Sequence, residues 1–520
     1  MTADLLNVVN PTADRGHSVT RNLAEAQAAL SQGKPALLWR KRIADTETPV
    51  SAALKLCVEG RGDFLLESVE GGNVRGRHSL IGIDPDLIIR AHGTSAEINR
   101  QWRQDRASFQ PLAGDPLTEL RALVAECAMD VPDALPRALS CLVGYFGYET
   151  VGLVEKLPRP PENPLALPDL LFVRPSLIVI FDRLSDEMFL IAPVWPSEEL
   201  EYDVILDGAI TALDEGERTL SASLPANGMT GDAPAEPVFE PQLAPGRYGE
   251  MVAAAKDYIE AGDIFQVVLA QRFTAEFELP PFALYRALRR VNPSPFLYYL
   301  DLPDFALIGS SPEILVRARD GEVTIRPIAG TRPRGKNDAE DQANKASLLS
   351  DGKELAEHLM LLDLGRNDVG RVAARGSVTV TDSHFVEFYS HVMHIVSNVT
   401  GTLAQDKDAL DALFAGFPAG TVSGAPKVRA CEIIAELEPE TRGAYAGGVG
   451  YFSPDGSMDS CIVLRTAVVK DGKMHVQAGA GIVADSDPAY EQRECEAKAS
   501  ALLSAAKEAV RIAGEPSFGQ

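Results

Sequence analysis

Strand-like and helix-like stretches alternate along this chain without the regular spacing of strand–helix–strand units. That irregularity points away from a parallel sheet and towards an α+β fold with large antiparallel sheets. Residues 22–32 carry an Ala/Leu-rich amphipathic pattern that reads as a helix, followed by an apolar strand at 35–40. Thr48-Pro49 has the chemistry of an N-cap with proline at the first helical position, opening a helix through Ala52, Leu54 and Val58. A strand at 64–68 turns at Gly71-Gly72, and another begins at His78 and ends near Asp84-Pro85. Helices are expected at 117–129 and 198–220, with strands at 144–149 and 176–182 flanking a proline-rich loop at 158–168. Further on, helices read at 247–261 and 281–291, and strands at 263–273, 296–300 and 306–309. Residues 221–245 turn to Ala, Pro, Gly and Ser without periodicity, the composition of a linker. The chain is thus expected to divide into 1–220, a linker at 221–245, and 246–520.

At 520 residues and 45% hydrophobic content there is material for sizeable cores and two or more domains. The net charge of −25, from 74 acidic and 49 basic side chains, would repel phosphate backbones and anionic lipid. Nucleic acid and membrane are therefore poor partners, and an anionic ligand must find a local cluster of arginine and lysine. Cys57, Cys127, Cys141, Cys431, Cys461 and Cys495 are scattered without metal-like spacing, as expected of reduced packing residues. Residues 1–21 lack the apolar core of a secretory signal, and no apolar run approaches the ~18 residues of a membrane span. The expectation is a soluble cytoplasmic protein.

Residues 326–335 read R-P-I-A-G-T-R-P-R-G after a strand-like run at 322–325. Two prolines, two glycines and three arginine forks suit a loop that holds a small anion, although an exposed basic turn would have the same composition. Glu354 and Glu357, and again Glu491 and Glu494, lie three apart, so each pair shares one helix face. Four carboxylates directed at one point would need a divalent cation, and hard oxygen ligands suit Mg²⁺; ordinary solvated helix faces would show the same spacing. Gly479-Ala480-Gly481 with Ala484 imitates a dinucleotide fingerprint. The next helix starts too late, near Pro488, and Asp485 and Asp487 would repel a pyrophosphate. Arg465, at the end of C-I-V-L-R, is a charge inside an apolar strand that an anionic partner would explain. His394 in H-V-M-H suits either packing or proton transfer. Pro426, at the first position of a helix, would aim free N–H groups at an anionic pocket.

In order and spacing, several motifs resemble the chorismate-utilising enzymes, most closely the large subunits of anthranilate synthases. They are F-Q-V-V-L-A-Q-R-F at 265–273, G-S-S-P-E at 309–313, the arginine-rich ten residues, E-L-A-E-H at 354–358, L-D-L-G-R-N-D at 362–368, G-T-V-S-G-A-P-K at 420–427, Q-A-G-A-G at 477–481 and the acid-rich 491–498. The resemblance is dense over 244–506 and thinner over 22–213. It implies two stacked sheets flanked by helices. It also implies Mg²⁺ held directly by Glu357 and Glu494, with Glu354 and Glu491 acting through water, and the metal in turn binding the ring carboxylate of chorismate. The backbone of Gly479, Ala480 and Gly481, with Lys498 nearby, would face that carboxylate, while Tyr445 and Arg465 would hold the enolpyruvyl carboxylate. Gly330 and Thr331 match substrate-binding positions, and the hydroxyls of Thr331 and Thr421 would lie near the ring. Glu313 matches the acid for the departing 4-hydroxyl, and His394 the base for the C2 proton. The tetrad L-L-E-S ending at Ser68, with Pro295, Phe296 and Leu297, resembles the element that holds tryptophan as feedback inhibitor, with Phe-Leu where the family often has Tyr-Met. On this reading 1–220 is regulatory and 246–520 catalytic.

Two positions bear on the reaction type. Relatives that add water carry a lysine base where this chain has Gln266, and relatives that aminate at C4 carry a nucleophilic lysine where it has Ala329. Both favour ammonia adding at C2 to give anthranilate. They disfavour aminodeoxychorismate synthase and isochorismate or salicylate synthase. A catalytically silent amino-acid sensor would be expected to lose the metal acids or His394, and all are present. None of the cysteines sits in a glutaminase-like elbow and no further domain is expected after 520, so the resemblance implies a separate small glutaminase subunit delivering ammonia, in a heterotetramer or similar assembly.

Overall fold

The computed structural model describes residues 20–515 apart from 71–73, 161, 198–199, 226–234 and 390–391. The Gly71-Gly72 turn, nearly all of 1–21 and the middle of the expected linker lie outside the described residues. Among the described residues, two twelve-stranded sheets, antiparallel in every strand pairing, form the body of the molecule. In the first, Asp63–Glu70 pairs with Phe296–Leu302, placing Ser68 opposite Phe296. In the second, Leu142–Phe146 pairs with Gly448–Phe452. Division of the chain at 221–245 therefore does not divide the sheets, because each is continuous across both segments.

The strand Phe296–Leu302 shows why alternation is muted in the sequence. Tyr298, Leu300 and Leu302 join Phe64, Val143, Tyr145 and Val449 in a core between the two sheets, where the Tyr145 and Phe305 rings meet edge-on at 5.9 Å. Leu297 and Tyr299 face the other side and are buried with residues of the helix Pro281–Val291. A strand buried on both faces needs no polar face. The helix Pro488–Ala513 covers the same outer face. Asp487 accepts from Tyr490 N at 2.8 Å, Pro488 takes the first position, and Cys495, Ala499, Leu502, Ala506 and Ala509 recur at helical spacing as its buried stripe.

Local readings hold where side chains announce the geometry. Thr48 and Ser51 form a capping box ahead of Pro49–Leu56, although the helix stops short of Val58. Elsewhere boundaries move. The strand expected from His78 begins at Val74, and the one expected through Glu149 ends at Phe146 before a 3₁₀ turn, Tyr148–Leu153. The expected linker contributes a short strand, Glu240–Pro241, that pairs with Gln266–Glu276. All six cysteines are free, and five are buried. Among the described residues no helix is long and apolar enough to cross a membrane.

Candidate active site

The arginine-rich stretch contains a strand rather than a loop. Ile328–Pro333 pairs with Val392–Thr402, and the register shifts between Ala329 and Thr331. Gly330 sits in that bulge at φ 71°, a left-handed conformation that side chains disfavour. The prolines and glycines that suggest a loop mark an irregular edge strand. Its arginines are not free for an external anion either. Arg332 binds Asp351 at 2.7 Å and Glu354 at 3.0 Å, Arg334 binds Asp341 at 2.7 Å, and Arg326 binds Glu387.

The bulge brings two acceptors to one histidine. His394 Nδ1 lies 3.0 Å from Gly330 O and 3.1 Å from Thr331 Oγ1. A carbonyl only accepts, so Nδ1 carries the proton and Nε2 keeps a lone pair. Burial pushes the His394 pKa down to about 4, with the charge of Arg465 adding in the same direction, so the ring is neutral near pH 7. The ring of Tyr389 stands 5.2 Å away.

Glu313 follows the strand Phe305–Ser311 and is 8% exposed. Burial pushes its pKa up to about 8, opposed by Thr421, whose hydroxyl donates to Oε1 at 3.1 Å. The carboxyl therefore holds its proton at neutral pH, the state a general acid needs. Thr421 rides on the turn Gly420–Val422, anchored to the neighbouring strand by Val268 N donating to Ser423 O at 2.9 Å. Pro426 stands just before the helix Lys427–Leu437, at its N-cap rather than its first residue.

Arg465 is not inside a strand. It occupies the connection between Met458–Ile462 and Thr466–Lys470 at φ 48°. It is half-buried, its pKa is lowered by burial with Tyr389 opposing, and among the described residues its guanidinium is in no ion pair or side-chain hydrogen bond. On the strand Lys473–Ile482, a Cβ at Gly479 would come 2.8 Å from Tyr445 Oη, and one at Gly481 would come 2.6 Å from Gln266 Nε2. Both glycines thus permit close approach of those side chains. Lys498 Nζ donates to Gly479 O at 2.8 Å.

Of the four glutamates, Glu354 is bound to Arg332 at 3.0 Å and Glu494 to Lys498 at 2.7 Å, so these two each have a cation of the chain as partner. Among the described residues no three His, Cys, Asp or Glu side chains are grouped closely enough to hold a metal ion. Glu357 nevertheless feels both Glu354 and Glu494. Burial first, then those two charges, raise its pKa, and burial followed by Glu494 raises that of Glu491. A set of hard oxygen donors in mutual repulsion fits a divalent cation chemically. Glu354 also reaches the bulged strand, since a Cβ at Gly330 would lie 3.1 Å from its Oε2.

Ser68, Pro295, Phe296 and Leu297 line one cavity of about 670 Å³ between the sheets, together with Arg317, Tyr389 and Tyr451. The sequence reading passes over Tyr389, which links this cavity to His394. It also passes over Arg442, although a lone charge in the run T-R-G-A-Y-A-G-G was a signal to follow.

The family model for chorismate binding enzymes matches residues 63–504. Anthranilate synthase component 1 of Cereibacter sphaeroides is 52% identical over 92% of this chain and 95% of its own length. The protein of the same name from Thermus thermophilus is 48% identical over 89% and 96%. The crystal structure of anthranilate synthase component I from Streptococcus pneumoniae superposes with a TM-score of 0.72 at 38% identity, covering 82% of this chain and 92% of that one. The menaquinone-specific isochorismate synthase from Escherichia coli, at 19% identity and a TM-score of 0.68, shares the fold.

Proposed function

This chain belongs to the chorismate binding enzyme family, alongside the anthranilate synthase component 1 proteins, and from that premise we propose that it is the chorismate-converting component of an anthranilate synthase. It is a lyase that aminates chorismate at C2 and then releases pyruvate. The observation that carries the reading is Arg465, a half-buried guanidinium beside His394 that no carboxylate pairs among the described residues. A cation held in this way is stabilised when a carboxylate enters.

Ammonia bonds to C2 as the C4–O bond breaks, and Glu313, protonated by virtue of its burial, gives its proton to the departing hydroxide so that water leaves. The new C2 ammonium then gives up one proton, which restores the charge balance. His394 Nε2 then takes the C2 proton while the bond from the ring to the enolpyruvyl oxygen breaks; the electron pair leaves as pyruvate enolate, which takes up a proton to give pyruvate, and the ring becomes aromatic. Thr421 holds the carboxyl of Glu313 in place, and the bulge at Gly330 and Thr331 orients the imidazole. Tyr445 and Arg465 would bind the enolpyruvyl carboxylate. The backbone of Gly479, Ala480 and Gly481, with Lys498, would face the ring carboxylate. Glu357 and Glu494, with Glu354 and Glu491 behind them, would hold Mg²⁺, which supplies countercharge to that carboxylate. Gln266 is a neutral amide with no base to offer water, and Ala329 has no amine to attack the ring. Ammonia is thus the fitting nucleophile, delivered by a separate glutaminase subunit. The cavity at Ser68, Pro295, Phe296 and Leu297 suits tryptophan as the feedback inhibitor.

The purified chain, given chorismate, Mg²⁺ and ammonium without any partner, is expected to form anthranilate in a reaction that a chelator stops. Aminodeoxychorismate or isochorismate as product would overturn the reading of Ala329 and Gln266, and absence of any product would overturn the reading as an enzyme. For the inhibitor cavity, Ser68→Phe fills space opposite Phe296 and is expected to relieve tryptophan inhibition at least about tenfold while leaving turnover nearly intact. Inhibition curves that superpose on wild type would place the inhibitor elsewhere.

A further inference from the structure

We propose that Arg442, locked to Glu438, is a positioning residue that sets Thr421 and Tyr445 in register with the strand carrying Gln266; this rests on the reading of the site as the chorismate pocket. Arg442 and Glu438 are almost wholly buried, with side chains 1% and 3% exposed. The guanidinium joins three pieces of chain: the segment 438–442, the turn Gly420–Val422 and the strand Gln266–Glu276. Its Nε and Nη2 donate to Glu438 at 2.9 and 2.6 Å, Nη1 donates to Val422 O at 2.7 Å, and Nη2 donates to Val268 O at 2.7 Å. Val422 is the neighbour of Thr421, and Val268 lies two residues from Gln266 on Gln266–Glu276.

The partner is tied down as well. Glu438 Oε1 accepts from Ala270 N at 2.8 Å, on the same strand. The main-chain N–H groups of Arg442 and Gly443 donate to Glu149 at 2.7 and 3.0 Å, which fixes the start of the turn that ends at Tyr445. The guanidinium lies over the Tyr445 ring at 5.5 Å and the Tyr148 ring at 4.7 Å. Because Glu438 neutralises it at contact distance, Arg442 adds geometry to the site rather than charge, and no substrate contact is required of it. A planar fork reaches four acceptor directions at once, which a lysine ammonium at the end of a flexible stem does not reproduce.

The test is a double-mutant cycle on the ammonium-dependent reaction, with Arg442→Lys, Thr421→Val and the pair. Arg442→Lys is expected to lower kcat about 10- to 100-fold, with a smaller, roughly threefold rise in KM for chorismate through Tyr445, the cost of misplacing groups by fractions of an ångström. In the Thr421→Val background the same change should cost no more than about threefold, since the contact it protects is already gone. Both single variants should also move the alkaline limb of kcat to higher pH, because Thr421 donates to the ionised form of Glu313. Glu438→Gln, which keeps an acceptor for Ala270 and Arg442, should show the same coupling at smaller amplitude and serves if Arg442→Lys does not fold. Additive effects, or losses that track Tm with an unmoved limb, would overturn the proposal. A wild-type chain that makes no anthranilate sinks the functional reading instead, so the two failures are told apart by the control.

Discussion

Glu313→Gln is expected to lower kcat by about 10²–10⁴ while raising Tm, because the same burial serves catalysis and weakens the fold. Glutamine leaves an acceptor for the Thr421 hydroxyl but has no proton to give the departing hydroxide. The stability gain should depend on pH. Burial raises the Glu313 pKa from an ordinary 4.5 to about 8 in the folded protein. Below pH 4.5 both folded and unfolded chains are protonated at this position and its contribution is fully present. As pH rises from 4.5 to 8 the unfolded chain sheds the proton and the folded chain keeps it, so stability falls, and the loss is complete above pH 8. The variant lacks this term. Its stability advantage should therefore widen across that window and level off beyond it, reaching on the order of a few kcal/mol and read as a growing gap in Tm. Thermal melts of both proteins from pH 5 to 9 check this. A gap that does not change with pH would remove Glu313 as the buried acid, whatever happens to kcat.

Arg465→Met should separate binding from stability even more sharply. The native guanidinium is half-buried, depressed in pKa by burial, and in no ion pair among the described residues, so the folded chain bears a desolvation cost that a thioether does not. Tm is expected to hold or rise. kcat/KM for chorismate is expected to fall about 10²- to 10³-fold, chiefly through KM, which is the size of a lost charge-assisted contact to a carboxylate. Arg465→Lys should recover only a small part, since an ammonium does not make the bidentate contact. Steady-state kinetics with chorismate varied, beside a melt of each variant, decide the matter. A fall in Tm with an unchanged KM would make Arg465 a packing residue.

What could be read from the sequence and what could not differ in kind. Thr48 and Pro49 announce a helix start through their own side chains, and the helix Pro281–Val291 appears where its amphipathic pattern puts it. Glu354 and Glu357 do share a helix, and so do Glu491 and Glu494. Partners far apart in the chain were not legible. Nothing in F-L-Y-Y-L-D-L says that it lies against L-L-E-S, and only the motif resemblance suggested that Ser68 and Phe296 share a site. The stretch R-P-I-A-G-T-R-P-R-G misleads because its composition is that of a turn, while pairing with Val392–Thr402 holds it extended around one bulge. Its three arginines misled for a related reason: a sequence shows a cation but not the carboxylate that already occupies it. Arg465 and Arg442 divide on that point, one open to an incoming anion and the other closed by Glu438.

The shared construction of the two sheets also bears on how the chain is made in the cell. Leu142–Phe146 emerges from the ribosome roughly 300 residues ahead of Gly448–Phe452, the strand it pairs with, which at about 5–20 residues per second is a wait of about 15–60 s. Asp63–Glu70 waits likewise for Phe296–Leu302. During synthesis the nascent first half carries unpaired edges and an apolar face with nothing to cover it, the exposure that invites aggregation and chaperone capture. A nonsense mutation late in the coding sequence would therefore release a product without a finished core, rather than a smaller working enzyme or a free-standing sensor.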